Sequence, residues 1–511
     1  MSKKVVFKPY VQNQPSLLPP SYEDLVPANH PVRVVNEIIE RIDLSELERT
    51  YKGGGTSSYH PRMLLKVIIY AYLRNIYSSR KIEQALEENV HFMWLSGGSR
   101  PDHNTINDFR GKRLKEQLKK IFNQVVILLA EEGVLSLKEL LLDGTKLEAN
   151  ANRYSFVWGK SIKTSRARIE EQLQSLWAYV EKLYQDEENQ PTKPEMAVLD
   201  PEDVTRTIEA INEALKDKVI EAKVKQKLAY GKKSWPQKLA QHTRQEQLLA
   251  GRNSMSKTDP AATFMRMKED HMKNGQLKPG YNVQASTNRH YIINYTIGQT
   301  TADTTEFKNH LEEYLNSYGA WPHSVATDAG YGSQENYQYL EENRITGFVK
   351  YPGFDKQQQT KKDQTNPFLA ANLYYNEETD TYYCPIGQPM HFIGIKEQTT
   401  KTGYKQELRR YRAVNCEGCP LRSGCHRGTG NRIIERNPKL IRYREQAREL
   451  LESEEGVESR KQRWESEGVF GNIKQNHGFR RFMLRGKEKV TVETGLIALA
   501  HNLRRYAKRA H

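Results

Sequence analysis

The sequence predicts an α/β protein: a mixed sheet with flanking helices, preceded by a helical N-terminal domain and interrupted by one helical and one cysteine-bearing insert. Three observations predict it. Short β-type runs near Leu140, Tyr281, Tyr291 and His323 alternate with amphipathic helical segments. Residues 31–135 carry only the helical period. Residues 160–255 are charged and heptad-spaced, and residues 353–436 hold all four cysteines; both stretches break the α/β alternation.

Residues 1–30 are Pro-rich and poorly patterned, an N-terminal arm. Residues 31–135 form the helical domain. Pro61 opens MLLKVIIYAYLRNI, apolar on most sides and therefore buried. Ser78 and Ser79 are candidate caps for the next helix. Leu114, Leu118, Ile121, Val125, Leu128 and Leu129 mark a helix over Leu114–Ala130. Several short helices in a basic chain suit a helix-turn-helix-like DNA reader, and equally a helical scaffold. Then Leu140–Leu142 reads as a buried strand ending at Asp143-Gly144.

Ile169, Leu173, Leu176, Val180 and Leu183 form an a/d seam, and Val204, Ile208, Ile211 and Leu215 repeat it. With the polar, Pro-containing turn DEENQPTKPEMAVLDP between them, residues 160–255 are expected to fold as an antiparallel helical hairpin, a plain structural arm or a DNA-clamping or dimerisation arm. Residues 136–159 and 256–352 then make the core. Tyr281–Ser286 and Tyr291–Ile297 form a hairpin joined by Thr287–His290. A helix follows, then a strand ending at Asp328, a second helix, and the strand in ITGFVKY. With the insert removed, this order is that of a ribonuclease H-like core. Residues 437–511 are helical and strongly basic.

Composition bounds the function. At about 150 residues per domain, 511 residues allow roughly three domains. Lys plus Arg number 78 against 63 Asp plus Glu, giving a net charge of +15 and an isoelectric point near 9.3. Such a balance suits a polyanionic partner, because each neutralised phosphate releases counterions. The start MSKKVVFKPYVQNQP has no apolar h-region, and no run reaches the roughly 20 apolar residues of a membrane span. Mean hydropathy is −0.80. Four cysteines in so long a chain are no disulfide framework. A cytoplasmic, nucleoid-associated protein with no membrane partner is expected.

Asp143 and Asp328 each end a short buried strand beside glycine-bearing turns, where α/β sheets place reactive groups. Asp is also a common turn residue, so neither decides alone. In RWESEGVFGNIK, Arg463, Glu467 and Lys474 follow R-x3-E-x6-K. At about 100° per helical residue all three share one face, and Glu465 points nearly opposite. Cations on both sides favour the charged form of a carboxylate and can hold phosphate. An ordinary surface ion pair has the same spacing. Three carboxylates from two strand ends and one helix suit phosphodiester chemistry, which two divalent ions about 3.5–4 Å apart assist; such ions take hard oxygen ligands.

The motifs DGTKLEANANRYSF, SKTDPAATFMRMKEDHMKNGQLKPGYNVQAS, VATDAGYGSQENY and EGVFGNIKQNHGFRRFMLRG, with LIALAHNLRRYAK, make the chain resemble the DDE transposases of bacterial insertion sequences from about Tyr10 to Lys508. AYLRNIYSSRKIEQAL and PDHNTINDFR resemble the domain that precedes the catalytic core in that group. The resemblance implies a ribonuclease H-like core that binds terminal inverted repeats, cleaves element ends with Mg²⁺ or Mn²⁺, and joins them to target DNA. It puts the catalytic triad on Asp143, Asp328 and Glu467, with Asp143 bridging both metals and the other two holding one each. Arg463 and Lys474 would position the scissile strand. The family's Tyr three residues before the Arg is Arg460 here. Joining two ends implies double-stranded DNA as partner and a homodimer on it. Two alternatives stay open: a domesticated nuclease that no longer transposes, and a DNA-binding protein with relic carboxylates.

Cys384, Cys416, Cys419 and Cys425, the last three as C-x2-C-x5-C, fit a structural Zn²⁺ site, with His426 as a substitute ligand. Packed reduced cysteines fit as well. A β-hairpin would span the gap from Cys384 to Cys416. Tyr404, Lys405, Arg409, Arg410, Tyr411 and Arg412 suit DNA contact or a solvated face. Arg480, Arg481, Arg485, Arg504 and Arg505 suit backbone phosphates or, again, a solvated face. Leu496, Leu499 and Leu503 read as core.

Overall fold

The computed structural model describes residues 20–51, 58–185, 191–194, 199–267, 275–359 and 366–509. Most of the expected N-terminal arm, part of the polar turn between the two heptad seams, and part of KEDHMKNGQ lie outside the described residues. The chain forms two compact units, residues 1–128 with 494–511, and residues 129–493.

The first unit is helical. Pro61–Leu73 buries nearly all its side chains, as an all-round apolar helix must. Its N-cap His60 and the N-cap His30 of Pro31–Glu40 both use Nδ1 to accept a backbone N–H, at 3.2 Å each. Ser78 occupies the N-cap position of Ser79–Glu88 without a side-chain cap bond. The helix expected from Leu114 begins at Leu118, because residues Phe109–Arg113 form a π-helical turn. Leu496, Leu499 and Leu503 are fully buried, as their spacing indicated.

The second unit is built on a six-stranded mixed sheet. Its strands are β1 (Glu139–Glu148), β4 (Thr263–Arg266), β5 (Leu277–Asn288), β6 (Tyr291–Gly298), β7 (Ser324–Thr327) and β8 (Thr346–Val349). The small strands β2 (Phe156–Trp158) and β3 (Ser254–Ser256) pair separately. The order is β4-β5-β1-β7-β8, with β6 also on β5. β1 is antiparallel to β5 and parallel to β7, and β7 is parallel to β8. β1 does not stop at Asp143. It runs on to Glu148, because β5 offers partners down to Gly280. Only its parallel pairing with β7 ends near Asp143. The β5–β6 connection is tighter than expected: Arg289 and His290, at φ 49° and 65°, form a two-residue turn with both residues left-handed, the geometry whose twist matches paired strands.

The helical insert differs from the expected hairpin. Gly159–Leu183 and Pro201–Ala214 are joined by a third helix, Ala222–Leu249. Leu228, Trp235 and Leu239 of the third helix share one core with the two predicted seams. Two short seams leave an apolar flank that a third helix covers. Its own apolar positions are sparse and it contains Pro236, which hid it in the pattern.

The cysteine-bearing stretch is a five-stranded antiparallel sheet, β9 (Tyr374–Asn376), β10 (Thr381–Tyr383), β11 (Pro389–Thr399), β12 (Lys405–Ala413) and β13 (Ile433–Arg436). The β11–β12 hairpin spans Cys384 to Cys416, as expected, and both cysteines pack against its small core.

Candidate active site

Parallel pairing of β1 with β7 sets Leu140 opposite Val325 and Leu141 opposite Ala326. Two residues further along each chain stand Asp143 and Asp328. Neighbouring strands lie about 4.8 Å apart, so the two Asp residues stand side by side just beyond the point where the β1–β7 pairing ends. Asp143 is buried at 4% exposure, and Asp328 is half-buried. Asp143 Oδ1 accepts the Gly144 N–H at 2.8 Å, and Asp328 Oδ1 accepts the Gly330 N–H at 2.8 Å. Each carboxylate is thereby oriented by a nearby glycine N–H, that of Gly144 within β1 and that of Gly330 in the turn after β7.

The helix Trp464–Gly471 packs against β1 and β5 through buried Ser466, Val469 and Phe470. Phe482, beyond it, packs edge-on to Tyr281. Tyr281 lies opposite Leu147 and so on the same sheet face as Asp143. Glu467 pairs with Arg463 at 2.8 Å, with 59% of the Glu467 side chain exposed. Glu465 turns the other way, as the spacing indicated, and accepts the His290 N–H at 2.9 Å. Lys474 is 6% exposed. It sits in a π-helical turn, Asn472–Asn476, where each residue advances less than in an α-helix. Helical phase therefore links Arg463 to Glu467 but does not carry to Lys474. Arg460, where the related pattern has Tyr, lies over the Phe354 ring at 5.4 Å.

Four residues that sequence reasoning missed pack against this position from the other face. Gly144 is opposite Gln284, and strand alternation turns both away from Asp143. Asp303 Oδ1 accepts from Asn282 Nδ2 at 2.8 Å and Gln284 Nε2 at 3.0 Å. The Tyr331 hydroxyl donates to Gln284 Oε1. Burial holds the Tyr331 hydroxyl far above its usual range, and the negative charges of Asp303, Asp143, Asp328 and Glu306 push it the same way. The available signal was GYNVQAS itself: two amides, Asn282 and Gln284, on one face of a fully buried strand need buried partners.

Hard carboxylate oxygens on Asp143 and Asp328 fit a divalent ion of the Mg²⁺ class, which keeps several waters and needs only one or two carboxylates. Among the described residues, no three His, Cys, Asp or Glu side chains gather closely enough to hold a metal ion. A structural zinc site needs four protein ligands, and the four cysteines, all free, do not form such a set. Cys416 Sγ accepts the Arg432 N–H at 3.3 Å and Cys425 Sγ accepts from the Arg432 guanidinium at 3.0 Å. His426 Nε2 lies 2.9 Å from the Gly430 carbonyl oxygen.

The basic residues expected to meet phosphate are largely engaged within the fold. Arg409 pairs with Asp380, and Arg410 with Glu435. Arg481 donates to the carbonyls of Ala149 and Ala151, Arg485 to that of Asn150, and Arg480 to that of Lys474. Arg504 donates to Leu73 and Asn75. No described helix is long and apolar enough to cross a membrane.

A family model described as "Transposase DDE domain" matches residues 383–507, and one described as "Transposase domain (DUF772)" matches residues 20–112. No curated protein and no solved structure matches the chain.

Proposed function

The chain is related to the DDE transposases of insertion sequences through both matched segments, and on that footing we propose that it binds the terminal inverted repeats of its element, cuts the DNA there, and joins the freed ends to a target. The observation that carries the reading is the parallel β1–β7 register, which ends at Leu141–Ala326, two residues short of both Asp143 and Asp328. The strand order β4-β5-β1-β7-β8, antiparallel on one side of β1 and parallel on the other, supports a ribonuclease H-like core.

Asp143 and Asp328 hold a divalent cation of the Mg²⁺ class, and Glu467 is the third carboxylate, brought from the helix that packs on β1 and β5. A bound divalent cation supplies an activated oxygen nucleophile and stabilises the leaving oxygen. Arg463 fixes Glu467 until DNA arrives, and its guanidinium is then close enough to that helix face to take a backbone phosphate. The helical unit at residues 20–128 serves as DNA-binding domain, and a dimer brings two ends together.

The test is cleavage of labelled DNA carrying the gene's own flanks, with and without Mg²⁺. Metal-dependent nicking at the element boundary supports the reading. Binding without any cutting, at any divalent metal, would leave a DNA-binding protein with relic carboxylates.

A further inference from the structure

Asp303 lies on the opposite sheet face from the Asp143 side chain, yet it touches the segments that carry both strand-end carboxylates. On one side its Oδ1 holds the amides of Asn282 and Gln284. Gln284 in turn accepts from Tyr331, three residues after Asp328. A Cβ built on Gly144 would overlap Gln284 Nε2 and lie 2.7 Å from Asp303 Oδ1 and 3.0 Å from the Tyr331 hydroxyl. The network is thus packed directly against the backbone that carries Asp143. On the other side, Thr304 Oγ1 donates to the Gly330 carbonyl, and Asn336 Nδ2 donates to the carbonyls of Thr304 at 3.1 Å and Tyr331 at 2.8 Å. The short helix Asp303–Thr305 is therefore pinned between the Asp143-Gly144 peptide and the Asp328–Tyr331 loop.

From this arrangement we infer that Asp303 is a positioning residue for the metal site: it sets the separation of Asp143 and Asp328. The inference rests on the reading of those two residues as metal ligands. The physical reason is directional. Asp303 Oδ1 accepts from both Asn282 and Gln284, and Asn282 Oδ1 also accepts from Gln284, so the Gln284 amide nitrogen faces Asp303 and its oxygen faces Tyr331. The Tyr331 hydroxyl must then donate to Gln284, which fixes the loop that follows Asp328. Buried Gln284 and Tyr331, joined in one consistent donor order to half-buried Asp303, make a stiff spacer between the two strands. An amide at position 303 lets Gln284 flip, and the order is lost.

The experiment is Mn²⁺ titration by calorimetry of the full chain, without DNA, on wild type, Asp143→Asn, Asp303→Asn and Tyr331→Phe, with a thermal melt of each. Partners of metal ligands typically contribute a factor of about 10–100 in affinity. We expect Asp303→Asn to weaken Mn²⁺ by that order with its melting temperature little changed, and Tyr331→Phe to weaken it several-fold. A purely structural role would lower the melting temperature and leave affinity of the folded protein alone. Should Asp303→Asn not fold, Tyr331→Phe decides on the same readout. Wild-type affinity in folded Asp303→Asn or, in its absence, Tyr331→Phe, while Asp143→Asn binds no Mn²⁺, overturns the positioning role and leaves the site reading standing. Equal binding by Asp143→Asn and wild type overturns both.

Discussion

Asp143, inside β1, and Asp328, the residue after β7, each stand two residues beyond Leu141–Ala326, the last pair of the parallel β1–β7 register. Neither carboxylate reached this position by chain proximity, since the three-helix insert and half the sheet lie between them in sequence. Two neighbouring carboxylates repel unless a cation lies between them. This makes the pair a unit. Asp143→Asn and Asp328→Asn are each expected to abolish Mn²⁺ binding measured by calorimetry, and the double variant to add nothing further, as for groups that act together. Retention of full affinity by either single variant would remove that residue from the site.

Glu467 is the group whose role depends most on function and least on folding. Its side chain is mostly exposed and its one bonded partner among the described residues is Arg463. Glu467→Gln keeps the helix and the buried residues beneath it. Gel-shift affinity for the element's end sequence should be unchanged, while Mg²⁺-dependent cleavage falls by about 100-fold or more, the scale seen when one electrostatic stabiliser is lost. Equal cutting by the two proteins would mean that the activity lies elsewhere. Glu465→Gln is the matched control, because its contact is structural, and it should cut normally.

The contrast between Glu467 and Asp303 shows what the sequence could and could not reveal. The strands around Asp143 and Asp328 and the Arg463–Glu467 ion pair were legible because they depend on local pattern: apolar runs and i,i+4 spacing. The β11–β12 hairpin was legible from the gap between Cys384 and Cys416. Asp303 was not, because TTADTTEF has only the composition of a helix start, and its partners Gln284 and Tyr331 come from other elements. Lys474 was placed by assuming one unbroken α-helix, and the π-helical turn broke that phase. The third insert helix was hidden by its own charge and by Pro236. Where tertiary partners decide, as for Arg481 and Arg485 on the backbone carbonyls of Ala149, Ala151 and Asn150, no local signal separates a phosphate ligand from a structural clamp.

Gly144 gives a packing test of the same site. An added Cβ has no room, since Gln284, Asp303 and Tyr331 already fill the space. Gly144→Ala should therefore cost about 1–3 kcal/mol, the usual scale of overpacking, and lower the melting temperature by several degrees. Gly471→Ala is the comparison. Gly471 is helical, and its Cβ would meet nothing within 4 Å. That change should stabilise by about 0.4–1 kcal/mol through the unfolded chain. A neutral Gly144→Ala would show that the buried network has slack, and would weaken the case for Asp303 as a spacer.

The first unit should be acid-sensitive. His30 stacks on His91 with ring centroids 3.9 Å apart, and its Nδ1 accepts the Val32 N–H at the helix N-terminus. Burial, then the neighbouring His91, then Arg74 lower its pKa from 6.5 to about 4. Burial and Arg74 lower that of His91 as well. In the unfolded chain both rings titrate near 6.5, so between that pH and about 4 the unfolded state binds more protons than the folded one. Stability then rises with pH across the window: it is complete above about pH 6.5 and is lost as the pH falls toward 4. Protonation also removes the Nδ1 lone pair that caps the helix. His30→Asn keeps a good N-cap acceptor and cannot titrate. Its melting temperature should fall less than that of wild type between pH 7 and pH 4.5, followed by far-ultraviolet circular dichroism. Identical pH profiles for the two proteins would place the acid sensitivity in other groups.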